Sequence, residues 1–390
     1  VTNGVAHPQN YRVATAPAKP LRLLLVTARF FPFTGGVENH VYQVARRLVQ
    51  RGVDVSVLTT DLTGDLPPTE IIEGAKVHRV RAFPANRDFY FAPALAGVIS
   101  AGKWDIVHIQ CYHTLVPPIA MLASLLAKVP YVLTFHGGGH SLSWRNAIRG
   151  VQRRALQPLF ARATKLIATA RFEIDLFGRR LGIPTERFAY IPNGGDLKVP
   201  EQIAQAPTNG TLIASVGRLE KYKGHQRVIA ALPEVLKRRP DARVWIAGDG
   251  PYEGELRQLA EHLGVSERVE IRGVPALERA RFAEQLSQAS LMTLLSEYET
   301  HPMAAMEAVA LGVPVLVANT SGLSELADDG LARAIDLKAT PRETAVAMLH
   351  QIENPLRPTE INLPSWDRCT ADLHDLYLSI AQTQGAMCVS

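Results

Sequence analysis

Cysteine is scarce: Cys111, Cys369 and Cys388 are all the chain has in 390 residues. An odd number at wide spacings excludes a disulfide framework and fits no metal-ligand pattern. The expected setting is therefore a reducing one, the cytoplasm. Long apolar runs are lacking too, and no stretch approaches the roughly 20 residues of a membrane-spanning helix. Residues 1–20 have no apolar centre of the kind a secretory signal needs, so they read as a flexible tail. A three-glycine dinucleotide fingerprint is missing, which argues against a nicotinamide-dependent oxidoreductase. Charge of one sign does not dominate: the net charge is +5, with 42 Lys and Arg against 37 Asp and Glu. There is no dense basic stripe interleaved with aromatics, so a nucleic-acid partner is not expected.

What is present is a balance of 47% apolar and 20% charged residues, as in a folded globular protein. Its length suits two domains. Short apolar runs at 21–27, 53–59, 106–110, 131–135 and 165–169 read as buried parallel strands. Between most of them lie helical patterns, such as 37–50, with Val37, Val41, Val44 and Leu48 on one face. A turn-forming cluster, Asn193-Gly194-Gly195-Asp196, and a polar stretch at 200–210 interrupt the alternation. It then restarts, with strands at 212–216, 243–247, 291–295 and 313–318 and helices at 224–238, 253–263 and 302–311. The reading is α/β: two doubly wound Rossmann-like domains facing each other across a cleft, at 21–200 and 201–364. Ligands of such domains bind beyond the carboxyl ends of the strands.

Four constellations carry chemistry. Glu299 and Glu307 flank a loop-to-helix junction with Pro302 placed to open the helix and Gly312 to close it. The free amides of Met303 and Ala304 make that helix end an anion site. A surface helix with a charge-favoured first turn is the plainer reading. Arg218 and Lys223 follow strand 212–216, where a ligand would lie, and Arg offers a planar fork for phosphate oxygens. The plainer reading is an exposed basic loop. Gly35-Gly36 between the first strand and helix permits close backbone approach to a ligand, or is an ordinary turn. His136 stands at a strand end before Gly137, Gly138 and Gly139, so its imidazole reaches the cleft, tuned to donate a proton or polarise a bond.

Taken together, these motifs make the chain resemble glycosyltransferase family 4, the retaining enzymes of the two-domain GT-B fold. The resemblance runs from about residue 21 to residue 377. It rests most on the two glutamates separated by seven residues, followed by Ala308 and Gly312-Val313-Pro314-Val315. Gly35-Gly36-Val37, Phe135-His136-Gly137, Ile191-Pro192-Asn193-Gly194, Val216-Gly217-Arg218-Leu219 with Lys223-Gly224, and Ala247-Gly248-Asp249-Gly250-Pro251 add to it in the family's order. The resemblance implies that Arg218 and Lys223 bind the donor diphosphate and Glu307 the ribose, while Glu299 holds the donor sugar. It also implies that the amides of Met303 and Ala304 cap the phosphates, that Gly35 and Gly36 let the first domain close, and that His136 touches the transferred sugar. Arg272-Gly273-Val274 would lie near the base. The last helix, about 365–390, would return to complete the first domain. Where the family often has Gly-Phe-Gly, this chain has Thr300-His301-Pro302, so His301 is either a second polar contact or a helix-capping residue.

The implied activity is transfer of a sugar from a UDP- or GDP-type donor to an unidentified acceptor, with retention, in glycan, glycolipid or natural-product glycoside synthesis. No Asp-x-Asp triplet is present to clamp a metal on the donor, so neither metal nor other cofactor is expected. Arg145, Arg149, Arg153 and Arg154 recur at helical spacing near Ile148, Val151, Leu156 and Leu159. That pattern suits either a solvated helix face or peripheral contact with an anionic membrane. A GT-B epimerase or phosphorylase and a non-catalytic nucleotide- or carbohydrate-binding protein are the alternatives.

Overall fold

In the computed structural model the apolar runs become parallel strands of two sheets. The structure describes residues 19–33, 35–84, 91–137, 143–195, 210–274 and 278–389, and side chains for all of these except 143–149, 279 and 385–389. Most of the tail at 1–20, the stretch at 196–209 joining the two halves, residues 138–140, and the side chains of Arg145, Ile148 and Arg149 lie outside the described residues.

The first sheet has strands β1 (Arg22–Val26), β2 (Asp54–Asp61), β3 (Thr69–Ile72), β4 (Ala75–Arg81), β5 (Ile106–Gln110), β6 (Tyr131–Thr134), β7 (Lys165–Ala168) and β8 (Phe188–Tyr190), in the order β3-β4-β2-β1-β5-β6-β7-β8. Helices α1 (Gly36–Gln50), α2 (Ala94–Ala101), α3 (Val116–Leu126), α4 (Ser143–Phe160) and α5 (Arg171–Leu181) connect them. The two-residue strand period divides β1 between two cores. Leu24 and Val26 pack with Met121, Phe160 and Phe177, whereas Leu23 and Leu25 pack with Val41, Val44 and Leu48 of α1. Burial on both faces explains the near-continuous apolar runs. The apolar pattern did not reveal the β3–β4 hairpin, which is antiparallel and turns at Glu73 and Gly74, both with positive φ (48° and 82°).

The second sheet runs β11-β10-β9-β12-β13-β14, parallel throughout. Its strands are β9 (Leu212–Val216), β10 (Arg243–Ala247), β11 (Val269–Ile271), β12 (Leu291–Leu294), β13 (Val315–Ala318) and β14 (Arg333–Ile335). Around it lie α6 (His225–Leu236), α7 (Glu253–His262), α8 (Arg279–Ser287), α9 (Met303–Ala310), α10 (Ser321–Asp328) and α11 (Pro341–Glu353). The chain order reverses between β1 and β5 and again between β9 and β12, which places a crevice at each sheet's carboxyl edge.

Helix α12 (Trp366–Val389) returns to the first sheet. Cys369, Leu373, Tyr377 and Ile380 join the core beneath β1 and α1. Tyr377 is fully buried, with its hydroxyl 2.6 Å from Nδ1 of His108 on β5. At the surface, Arg47 donates to Asp367 at 2.8 Å.

Candidate active site between the two sheets

The site is built from loops at the carboxyl ends of β9, β12 and β13. After β9, Gly217 adopts φ 153° and exposed Arg218 donates to the Tyr222 hydroxyl at 3.1 Å. A single tight turn, Lys221–Lys223, then leads to Gly224 (φ 81°), where any Cβ would run into the Leu295 carbonyl. That close approach holds Lys223 over the end of β12. Its Nζ donates to Oε1 of Glu299 at 2.6 Å, and Ser296 Oγ donates to the same oxygen at 2.8 Å. The Lys223 and Glu299 side chains are only 14% and 12% exposed, so water screens their attraction poorly. The Glu299 amide donates to Ser321 Oγ at 2.9 Å, and its carbonyl accepts from Gly322 at 2.9 Å. Glu299 is thus fixed from both flanking loops.

Helix α9 differs from expectation at its start. Pro302 is the residue before the helix rather than its first residue, because its ψ of 70° lies outside the helical range. Nor is the Met303 amide free, since it donates to the His301 carbonyl at 2.9 Å. The first intrahelical bond runs from Met306 to the Pro302 carbonyl, which leaves Ala304 in the open first turn. The His301 side chain does not cap this helix. Glu307 is half-buried in the second turn, and Gly312 (φ 72°) ends the helix as expected. Arg272, Gly273 and Val274 follow edge strand β11. The Arg272 guanidinium is held by Glu270 (2.7 Å) and Gln285 (3.0 Å), and Gly273 sits against the Asp249 carboxylate.

From the first sheet, His136 enters with φ 43°, a left-handed backbone uncommon outside glycine and characteristic of functional turns. Its Nε2 donates to Oε1 of Gln110 at 2.7 Å, and the Gln110 amide reaches Nε2 of His108 at 3.2 Å. Burial, reinforced by His40, His108, His113 and His301, holds His136 well below the usual histidine range. The ring is therefore neutral at pH 7. With Nε2–H engaged by Gln110 inside the protein, Nδ1 carries the lone pair. The His40 ring lies edge-on to it, with centroids 4.7 Å apart. Burial brings His40 and His301 each down to about 4. Gly35 is exposed with an extended backbone, and the space above Gly36, the first residue of α1, is open.

The two sides meet directly. The Thr300 hydroxyl donates to the Gly137 carbonyl, joining the residue after Glu299 to the residue after His136. Tyr298 packs edge-on against Phe172 with centroids 5.6 Å apart. Glu173, fully buried on α5, accepts the amides of Gly137 (3.0 Å) and Thr169 (2.8 Å). Burial raises its carboxyl above the ordinary glutamate range, and these bonds pull it back down. Sequence reasoning passed over Glu173, Ser321 and Glu325 and gave Thr300 no role of its own. The one signal available was an acid in the first turn of α5 behind the Gly-rich turn, and it reads equally as a favourable helix charge.

Two facing Rossmann-like domains, with a lysine–glutamate pair at the switch point of one and a neutral histidine presented by the other, make the GT-B fold, and the comparisons make the chain a glycosyltransferase. Residues 34–199 match the family model Glycosyltransferase Family 4 and residues 200–357 the model Glycosyl transferases group 1. The chain is 27% identical to a D-inositol 3-phosphate glycosyltransferase of Nocardiopsis dassonvillei, over 88% of this chain and 89% of the relative. It is 29% identical to the GDP-mannose:cellobiosyl-diphosphopolyprenol alpha-mannosyltransferase of Xanthomonas oryzae pv. oryzae, over 76% and 78% of the respective lengths. The solved structure of Anabaena HepE in complex with UDP has the same fold, with a TM-score of 0.67 and 19% identity over 95% of this chain and 100% of that one.

Proposed function

We propose that this chain transfers a sugar from a UDP- or GDP-linked donor to an acceptor hydroxyl, with retention of anomeric configuration and without a metal. The observation that carries this reading is the 2.6 Å contact between Lys223 and Glu299 at the β9/β12 switch point, held against the His136 turn through Thr300 and Gly137. Breaking the bond between the anomeric carbon and the diphosphate oxygen puts negative charge on the departing diphosphate. Lys223, Arg218 and the first turn of α9, where Ala304 rather than Pro302 or Met303 is open, supply fixed positive potential there. Glu299 holds hydroxyls of the donor sugar and Glu307 those of the ribose. The segment Arg272-Gly273-Val274 borders the base, and Gly35 and Gly36 give the first domain room to approach.

In this mechanism the acceptor hydroxyl attacks from the face the diphosphate leaves, and its proton passes to a departing phosphate oxygen. His136 Nδ1 accepts a hydrogen bond from a hydroxyl of the transferred sugar. The names of the Xanthomonas relative and of the HepE complex, with GDP-mannose and UDP, support a nucleotide-linked donor. A panel of UDP- and GDP-sugars tests the reading by thermal shift and slow donor hydrolysis, and the absence of both with every donor would overturn it.

For the acceptor side we propose peripheral contact with the cytoplasmic face of an anionic membrane. Exposed Val151 and Arg154 on α4, with exposed Leu122 and Leu126 on neighbouring α3, are the apolar and basic groups such a surface takes. No described helix is long and apolar enough to cross a membrane. Co-sedimentation with anionic liposomes at low salt tests this, and a chain that stays in the supernatant excludes it.

A further inference from the structure

Helix α5 has no cap of its own. Its N-cap residue, Ala170, has the right extended backbone (φ −139°, ψ 149°) but no side chain able to accept. The acceptor comes from the other domain. Glu325 on α10 takes the amide of Arg171 at 3.0 Å with Oε2 and that of Phe172 at 2.6 Å with Oε1. Arg171 then pairs with Asp329 at 2.8 Å. One residue further along, Glu173 receives the Gly137 amide, while the Gly137 carbonyl accepts from Thr300. One circuit thus runs from α10 through α5 to the turn that aims His136, and back to the residue beside Glu299.

We infer that Glu325 is a positioning residue: by capping α5 from across the cleft, it couples closure of the two domains to the placement of His136. A carboxylate bridging two first-turn amides is favoured at a helix amino end, and here it can do so only with the domains closed. Opening returns both amides and the carboxylate to water, so the cap works as a latch rather than as a permanent part of α5. What the latch positions rests on the transferase reading; the contact itself does not.

A merely structural cap and a latch are separable, because α5 can be given a cap in its own domain. Ala170→Ser places a hydroxyl at the N-cap with no link to α10. Glu325→Ala should lower the melting temperature, increase the radius of gyration in small-angle scattering, and reduce kcat about tenfold, while donor KM stays within about twofold. Adding Ala170→Ser should restore the melting temperature but neither the scattering nor kcat. Glu325→Gln, which keeps shape and one acceptor, should fall between wild type and Glu325→Ala, and it serves as the folded control. Unchanged scattering in Glu325→Ala and Glu325→Gln, or recovery of compactness and turnover with Ala170→Ser, would overturn the inference. Scattering needs no donor, so it decides the latch even for a chain that turned over no sugar nucleotide.

Discussion

Lys223 and Glu299 lie 76 residues apart in the chain and 2.6 Å apart in the fold. Each meets the other where little water reaches, so removing one strands a desolvated charge on its partner. Lys223→Ala and Glu299→Gln should each lower kcat/KM by about 100-fold or more, and the double variant should be little worse than the poorer single one. Donor titration and single-turnover rates on the four proteins check this, and fully additive losses would show that the two residues act apart.

Gln110 fixes which nitrogen of His136 carries the proton. Gln110→Leu removes that acceptor and lets the ring change tautomer. Transfer should slow about tenfold or more with nucleotide affinity unchanged, and His136→Ala, which removes the accepting nitrogen altogether, should slow it further. A matching fall in UDP or GDP affinity would instead place His136 against the nucleotide.

His40 and His301 both take up protons more readily once unfolded, since burial lowers each to about 4 against about 6.5 in the open chain. Between those values the unfolded state binds more protons. The contribution of each histidine is therefore complete above pH about 6.5 and is lost as pH falls toward about 4, at roughly 1.4 kcal/mol per pH unit. His301→Phe should be less sensitive to acid than wild type by that slope. Denaturant melts at pH 7.5, 6 and 5 measure the difference, and parallel curves for the two proteins would exclude it.

Glu173 accepts amides on both carboxylate oxygens. In Glu173→Gln one oxygen becomes an NH₂ facing an N–H, at a cost of about 1–3 kcal/mol. Gly137→Ala drives a Cβ into the Tyr298 hydroxyl and the same carboxylate, an overpacking of about 1–3 kcal/mol. Both should unfold at lower urea concentration than wild type, and wild-type midpoints would mean the turn relaxes freely.

Metal independence predicts the same initial transfer rate with and without excess chelator. A rate that collapses and returns only with added divalent ion would require carboxylate ligands that the mechanism above lacks.

Strands β5, β9 and β10 begin and end where the apolar runs do, because a strand covered on both faces carries apolar side chains almost without break. The β3–β4 hairpin escaped the same pattern, since β3 is an edge strand with alternate residues exposed. Its cue was the two-residue Glu73-Gly74 turn between alternating segments. At the site, the residues that follow strand ends could be read locally, which is how Arg218, Lys223, Glu299 and His136 stood out. The start of α9 could not, because proline's fixed φ leaves ψ free and here ψ turns away from the helix. Glu325 was invisible for a different reason: its partners are 153 and 154 residues away.

Tyr377 and its neighbours on α12 carry a consequence for biosynthesis. The sheet translated first has part of its lining supplied by a segment translated only after the whole second sheet. Until that segment emerges, the core beneath β1 lacks Cys369, Leu373, Tyr377 and Ile380, and the His108 ring lacks its Tyr377 partner. The amino-terminal half therefore completes this core only after the second half has been made.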